Sequence, residues 1–338
     1  MKFALIGFGT VGQGFVEILR DKRAALQSEH GFAPQIVAVA TRSRGSLYAP
    51  NGLDFDALLS AIAAGHLDHY PDAPGLQRNL PTLDLIHMCG ADVLLEAAPT
   101  DLQTAQPALD HCYAALDSGM HLVLANKGPI ALAYNELRQR AAQAGKRLLF
   151  EGTVMAGTPS LRLALQALAG CTITEARGII NGTTNYILTQ MESGMSYADA
   201  LAQAQALGYA EADPTADVDG WDAAGKALIL AAALFNRQFT LADFDVQGIS
   251  SITLEDVAAA RAAGERWKLI ARVTANGGSI QPVRIPMSHP LAGVSGGTNA
   301  ITYTTDLMGE ITLVGSGAGR IQTGFALLSD VLDLQRCL

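Results

Sequence analysis

Six ionisable side chains crowd into residues 204–226, AQALGYAEADPTADVDGWDAAGK: Glu211, Asp213, Asp217, Asp219, Asp222 and Lys226. Acids gathered around one lysine can bind an ammonium group and can move a proton to or from a carbonyl oxygen. Gly208, Pro214 and Gly220 interrupt the acids, so the first part cannot be a continuous helix. From Trp221 the pattern turns helical, through DAAGKALILAAALF. On that helix Asp222 and Lys226 are four residues apart and share one face, with Cβ atoms roughly 5–6 Å apart. Beyond Lys226 the helix is apolar almost all round and must be buried. A lysine at the entrance to a buried helix, flanked by acids on a Gly/Pro loop, predicts a lined polar pocket.

Elements earlier in the chain predict what that pocket works with. Residues 2–14, KFALIGFGTVGQG, form an apolar strand running into Gly7-Phe8-Gly9-Thr10-Val11-Gly12. Gly7 permits the tight turn and Gly9 lets the backbone approach a pyrophosphate. Gly12 lets the following helix pack on the strand, with its N-terminus facing the phosphates. That helix carries Val11, Phe15, Ile18 and Leu19 at helical spacing. The second strand, 35–40, ends in Thr41-Arg42-Ser43-Arg44, where a site preferring NAD usually presents an acid; Arg42 or Arg44 there predicts NADP preference. A buried strand over 92–97 ends near Thr100, which is placed to touch the nicotinamide ribose. A helix over 104–119 and a strand over 121–125 lead to Asn126-Lys127-Gly128-Pro129, a turn where catalytic groups belong. A helix over 130–144 and a strand over 147–150 complete an alternating β/α pattern, hence a mostly parallel, doubly wound sheet.

The glycine-rich segment 151–159, EGTVMAGTP, marks the change of domain. A strand over 172–180 then runs into Asn181-Gly182-Thr183-Thr184, which caps the next helix. A helix over 195–207 leads into the acidic stretch. After it come a helix over 253–263, strands over 266–274 and 279–287 joined by a turn at 276–278, strands over 298–304 and 310–314, and a last helix over 321–334.

Composition narrows the class. The chain has 338 residues, 49% hydrophobic and 16% charged, which suits a two-domain globular protein. A net charge of −9 without a Lys/Arg run argues against nucleic acid. No apolar run reaches the roughly 20 residues of a membrane helix, and no export signal is visible. Cys89, Cys112, Cys171 and Cys337 are scattered without a CxxC, as suits a reducing cytoplasm. His66 and His69, the only close histidine pair, have no nearby Cys and do not read as a metal site.

The order A-x3-G-Y-A-x2-D-P-x2-D-V-x-G-x-D-x3-K across 204–226 closely resembles the signature of homoserine dehydrogenase. The resemblance extends over the whole chain through the cofactor turn, ANKGP, EGTVMAGTP, GIINGTTNYIL and the last helix. It implies a Rossmann-type doubly wound sheet over 1–150, completed by a C-terminal helix over 318–338, with an α+β substrate-binding and dimerisation domain over 151–317. It also implies NAD(P)-dependent, reversible reduction of L-aspartate 4-semialdehyde to L-homoserine, in threonine and methionine biosynthesis, by a homodimer without an appended regulatory domain. By the match Lys226, Lys127 and Asp222 are catalytic, and Glu211 anchors the substrate ammonium. Tyr209, Thr183, Gly182, Asp213 and Asp217 line the pocket. The backbone carbonyls of Glu151, Val154, Ala156 and Thr158 bind a monovalent cation such as sodium. Two rivals stand beside this reading: a dehydrogenase of a related amino acid, and an NADP-sensing protein without turnover.

Overall fold

The computed structural model describes residues 1–337, in two compact units: Met1–Gly157 together with the stretch from Gly319 onward, and Thr158–Ala318. In the first unit, β1 (Lys2–Ile6), β2 (Gln35–Ala40), β3 (Ser46–Tyr48), β4 (Gln77–Arg78), β5 (Val93–Glu96), β6 (His121–Leu124) and β7 (Leu148–Leu149) form one sheet, in the order β4-β3-β2-β1-β5-β6-β7. The inner strands are short apolar runs buried along nearly their whole length, as strands covered by helices on both faces must be. β1 pairs in parallel with β2 on one side and β5 on the other, and β6 and β7 continue the parallel run. The strand order therefore reverses at β1, and a ligand crevice opens beyond the carboxyl ends of the strands at such a point.

In this unit several details differ from the sequence expectation. β3 and β4 add an antiparallel edge too short to be read from residue pattern. The helix expected over 104–119 runs only over Ala108–Asp117, because the Asp101 carboxylate accepts the backbone N–H of Gln103 and the Thr104 hydroxyl and so holds that stretch as a turn. The strand expected over 147–150 pairs only at Leu148–Leu149.

The helix Thr10–Asp21 buries Phe15, Val16, Ile18 and Leu19 against Phe3 and Leu5 of β1. The same core takes Leu327, Leu328, Val331 and Leu334 from the helix Arg320–Arg336, so the end of the chain completes the unit that its beginning starts. These two helices cross at backbone contact. A Cβ on Gly14 would lie 2.1 Å from the Arg320 carbonyl oxygen, and one on Gly324 would lie 2.5 Å from the Phe15 nitrogen. Arg320 also donates its Nε to Glu17, 2.8 Å away, across the same crossing.

In the second unit, β8 (Ile173–Ile179), β9 (Phe244–Val246), β10 (Glu265–Thr274), β11 (Gly277–Pro286), β12 (Thr298–Thr305) and β13 (Gly309–Ser316) are ordered β13-β12-β8-β10-β11-β9. All neighbours are antiparallel except β11 and β9. Thr274 faces Gly277 across the β10–β11 hairpin, so the turn is Ala275-Asn276 and not 276–278. Three helices pack on the sheet: Gly182–Glu192 on β10 and β12, Trp221–Phe235 on β8, β9, β10 and β11, and Leu254–Ala262 on β10.

Backbone contact between helices leaves no room for a methyl group. Gly324→Ala is expected to lower the melting temperature by several degrees, through overpacking of roughly 1–3 kcal/mol. Calorimetry showing an unchanged transition would mean that the crossing can widen freely.

Candidate active site

The lysine end of the second unit is built outward from one asparagine. Where the chain leaves β8, the Asn181 side-chain oxygen accepts the backbone N–H of Thr184 at 2.9 Å and caps the helix Gly182–Glu192. With its oxygen so engaged, the amide nitrogen donates to Asp217 at 2.6 Å and to Asp222 at 2.9 Å. Asp222 pairs in turn with Lys226, Nζ to Oδ2 2.7 Å, one helical turn away. The same Nζ donates to the Ile180 carbonyl at 2.6 Å. Gly220, at φ +89°, makes this possible by turning the chain from the short helix Thr215–Val218 into Trp221–Phe235. Lys226 is only 7% exposed, so its charge depends on these two partners rather than on water.

Asp217 stands under strain of a different kind. Burial, and next the repulsion of Asp222, push its carboxyl above the ordinary carboxylate range, against the opposing pull of Asn181, Lys226 and Thr183. The Thr183 hydroxyl donates to the Tyr209 carbonyl at 2.7 Å, and the exposed Tyr209 ring stacks on Tyr186 with centroids 4.8 Å apart. Asp217, Asp222, Lys226, Thr183 and Tyr209 thus belong to one bonded neighbourhood. Glu211 and Asp213 lie outside it. Glu211 is exposed, and its backbone carbonyl accepts the Gln205 amide at 3.0 Å. Asp213 accepts the hydroxyl and backbone N–H of Thr215, which hold its carboxyl below the usual range and make it a turn cap.

The nucleotide end belongs to the first unit. Gly7 sits at φ +96°, and a Cβ there would lie 2.3 Å from the Ala97 carbonyl carbon; a Cβ on Gly12 would lie 2.4 Å from the Gly7 oxygen. In contrast, a Cβ on Gly9 would meet nothing within 4 Å. No side chain caps the helix that Gly9 opens, so the first-turn N–H groups from Thr10 and Val11 onward are available to an anion. A cradle tight behind the turn and open in front of it fits a dinucleotide phosphate. Arg44 donates Nη2 to the Phe8 carbonyl at 3.1 Å and so lies beside this turn, while Arg42 is exposed.

Beyond β5 and β6 a second asparagine organises the backbone. Asn126 caps the helix Lys127–Gln143 through Gly128 N (3.0 Å), and its amide nitrogen reaches the Ala98 carbonyl (3.1 Å) and Glu96 (3.3 Å). Glu96 is fully buried at the end of β5, accepts Ala98 N at 2.8 Å and pairs with His111 at 2.9 Å. The Thr100 hydroxyl oxygen accepts the backbone N–H of half-buried Lys127 at 3.3 Å. Neither Glu96 nor His111 is singled out by sequence reasoning. The signal available is that Glu96 is a lone acid closing an apolar strand, VLLE, where a charge must be compensated.

At the change of domain, Glu151 donates its backbone N–H to buried Asp330 at 2.9 Å, Val154 is buried, and Ala156 adopts φ +49°. Thr158 opens the second unit and donates its hydroxyl to the Ser316 carbonyl at 2.9 Å. Among the described residues, no group of three or more His, Cys, Asp or Glu side chains could hold a metal. His66 accepts Asp68 N through its ring, as a local turn contact.

Comparison with known proteins covers both units of the chain. Residues 7–151 match the family model "Homoserine dehydrogenase, NAD binding domain", and 159–332 match "Homoserine dehydrogenase". The chain is 42% identical to the NAD(+)-dependent homoserine dehydrogenase of Pseudomonas canavaninivorans, over 99% of this chain and 96% of that one. It is 38% identical to the homoserine dehydrogenase of Methanocaldococcus jannaschii, over 99% and 98%. A hyperthermophilic archaeal homoserine dehydrogenase mutant in complex with NADPH superposes with a TM-score of 0.85 at 28% identity, covering 100% of this chain and 98% of that one.

A carboxyl raised in the folded state favours the native protein at low pH and opposes it once pH exceeds the folded-state value. Asp217→Asn removes that penalty while keeping an oxygen for the Asn181 amide. The variant is therefore expected to melt higher than the parent at pH 7–8, the gain shrinking as pH falls through the acid range. Melting curves that differ equally at every pH would contradict the charge argument.

Proposed function

The chain belongs to the homoserine dehydrogenase family, and on that premise we propose that the Asn181–Asp217–Asp222–Lys226 network is its proton-handling centre. The protein is an NAD(P)-dependent oxidoreductase acting on a CH–OH group, interconverting L-aspartate 4-semialdehyde and L-homoserine. When bound, the nicotinamide cofactor supplies or accepts the hydride. What remains for the protein is to orient the four-carbon substrate, exclude water and move one proton.

Lys226 carries that reading. Its Nζ uses one donor on Asp222 and one on the Ile180 carbonyl, which leaves a third N–H direction for the substrate oxygen. In reduction the charged amine donates its proton to the aldehyde oxygen as negative charge develops there. In oxidation the neutral amine takes the proton back from the hydroxyl. Asp222 orients the lysine, and the Asn181 amide keeps Asp222 in place. Glu211, exposed beside Tyr209 and outside that bonded network, is the anchor for the substrate ammonium, while Gly182, Thr183, Tyr209 and Asp217 line its pocket and Asp213 caps the turn at its rim. Lys127 and Thr100 stand beside the nicotinamide ribose in the cofactor site of the first unit.

Gly7 through Gly12 hold the cofactor phosphates, and Arg42 and Arg44 select NADP by pairing with its 2′-phosphate. Arg44 beside the phosphate turn supports that preference. The left-handed backbone at Ala156, uncommon for a residue with a Cβ, supports a monovalent cation on the carbonyls of Glu151, Val154, Ala156 and Thr158. The long edge strand β13, with Val314 exposed along it and Leu307 and Met308 exposed at its turn, supports a homodimer formed through that edge. Four free cysteines, and no helix among the described residues long and apolar enough to cross a membrane, accord with a cytoplasmic enzyme.

Following nicotinamide absorbance with L-homoserine tests these assignments together. Lys226→Ala is expected to lower the oxidation rate by roughly 10²–10⁴-fold, the usual worth of a positioned acid–base group. A Lys226→Ala variant that keeps the parental oxidation rate with chemistry rate-limiting would exclude Lys226 as the base. The double variant Arg42→Ala/Arg44→Ala should lose NADP⁺ preference while keeping turnover with NAD⁺. An unchanged cofactor ratio would discard the arginine assignment alone.

A further inference from the structure

Lys268, in the middle of β10, is completely buried, although strand alternation puts it on the same face as the polar positions Arg266 and Arg272. Burying an ammonium is costly, and a methionine of similar volume would serve packing better. Burial pushes the amine down to about 8, with the Arg266 charge adding to the depression and the Glu192 carboxylate opposing it. Neither Arg266 nor Glu192 hydrogen-bonds to it; Arg266 approaches Glu192 at 3.5 Å, and one Glu192 oxygen, Oε1, is buried without a partner. The lysine's hydrogen bonds go elsewhere, to the Val294 carbonyl at 2.7 Å and to the Asn185 side-chain oxygen at 3.1 Å.

Both partners lead to one loop, Val294-Ser295-Gly296-Gly297-Thr298. With its oxygen held by Lys268, the Asn185 amide nitrogen donates to the carbonyls of Gly296 and Thr298, each at 3.0 Å. Gly296 N donates to the Thr189 hydroxyl oxygen at 3.1 Å. The loop has two adjacent glycines, one at φ +61°, and no regular structure of its own, so these side chains set its path. Its inner surface meets the substrate segment at backbone contact. A Cβ on Gly182 would lie 2.7 Å from the Gly297 oxygen, and one on Gly297 would lie 2.6 Å from the Tyr209 ring.

We propose that Lys268 is a substrate-positioning residue: through Asn185 and Val294 it fixes the 294–298 loop as the floor on which Gly182 and Tyr209 rest. This rests on the assignment of Gly182, Thr183 and Tyr209 to the homoserine pocket. Lys268 touches no substrate atom. Its role is to set the height of the surface that the amino acid meets, in a unit that holds no part of the phosphate turn.

Lys268→Met, which keeps the volume and removes the donors, tests it on the full-length enzyme. The homoserine KM should rise roughly tenfold, with kcat within about threefold and the NADP⁺ dissociation constant, read by fluorescence quenching, unchanged. Thr189→Val cuts a single tie to the same loop and should give the same pattern at smaller size, even if Lys268→Met does not fold. Tyr209→Ala reports on the underlying assignment. A raised KM in Tyr209→Ala with parental KM in Lys268→Met and Thr189→Val overturns the positioning role alone. Parental KM in all three overturns the pocket assignment with it. A Lys268→Met protein that loses cofactor affinity and homoserine affinity together is merely destabilised, and that result also overturns the proposal.

Discussion

Two carboxylates held by one amide set the terms for the second unit. Asn181 can donate to both Asp217 and Asp222 only because Lys226 offsets part of their charge and its own oxygen is engaged at the start of a helix. Removing Lys226 would leave the two half-buried carboxylates without this counter-charge, and such charges cost several kcal/mol. The exit of β8, the Gly220 turn and the first turn of the lysine helix must therefore arrive together. The burial that makes the arrangement costly is also what makes it orient a proton donor, since a buried and doubly bonded amine has few places to point.

The first unit repeats the device with other residues. Glu96 ends β5 in full burial, takes Ala98 N and His111, and is met by Asn126, which caps the helix after the neighbouring strand β6. In both units a strand ends at its carboxyl edge, an asparagine caps the following helix, and its spare amide nitrogen ties an acid of limited solvent access to that cap. Groups mounted this way inherit the rigidity of strands and helices rather than that of loops.

Much of this is legible in the residue pattern alone. The glycine turn after β1, the apolar helix behind Lys226 and the alternation of strands and helices announce themselves, because periodicity and glycine spacing are local properties. What stayed hidden depends on partners far away in sequence. β3 and β4 exist only by pairing at an edge, and the β10–β11 turn moved because the register of two ten-residue strands chose Ala275-Asn276. Asn181 reads as a cap; nothing in Asn-Gly-Thr-Thr says that its nitrogen will find two acids some forty residues on. Nothing in the strand pattern around Lys268 says that Asn185 of the helix Gly182–Glu192 and the Val294 carbonyl will enclose its amine. Charged residues that end up buried are the ones local pattern describes worst.

The helix Arg320–Arg336 has a bearing on how the chain matures. It contributes Leu327, Leu328, Val331 and Leu334 to a core whose other members come from the first half of the sequence, with 158–318 lying between them along the chain. A polypeptide emerging from the ribosome therefore exposes an unfinished apolar face on its first unit throughout synthesis of the second. The second unit has its own sheet, and its two ends are joined by the Thr158–Ser316 hydrogen bond, so it holds all its parts before the last helix emerges. The order of maturation inverts the order of translation: the part made first is the last to close, and until then its uncovered face is what a chaperone would find.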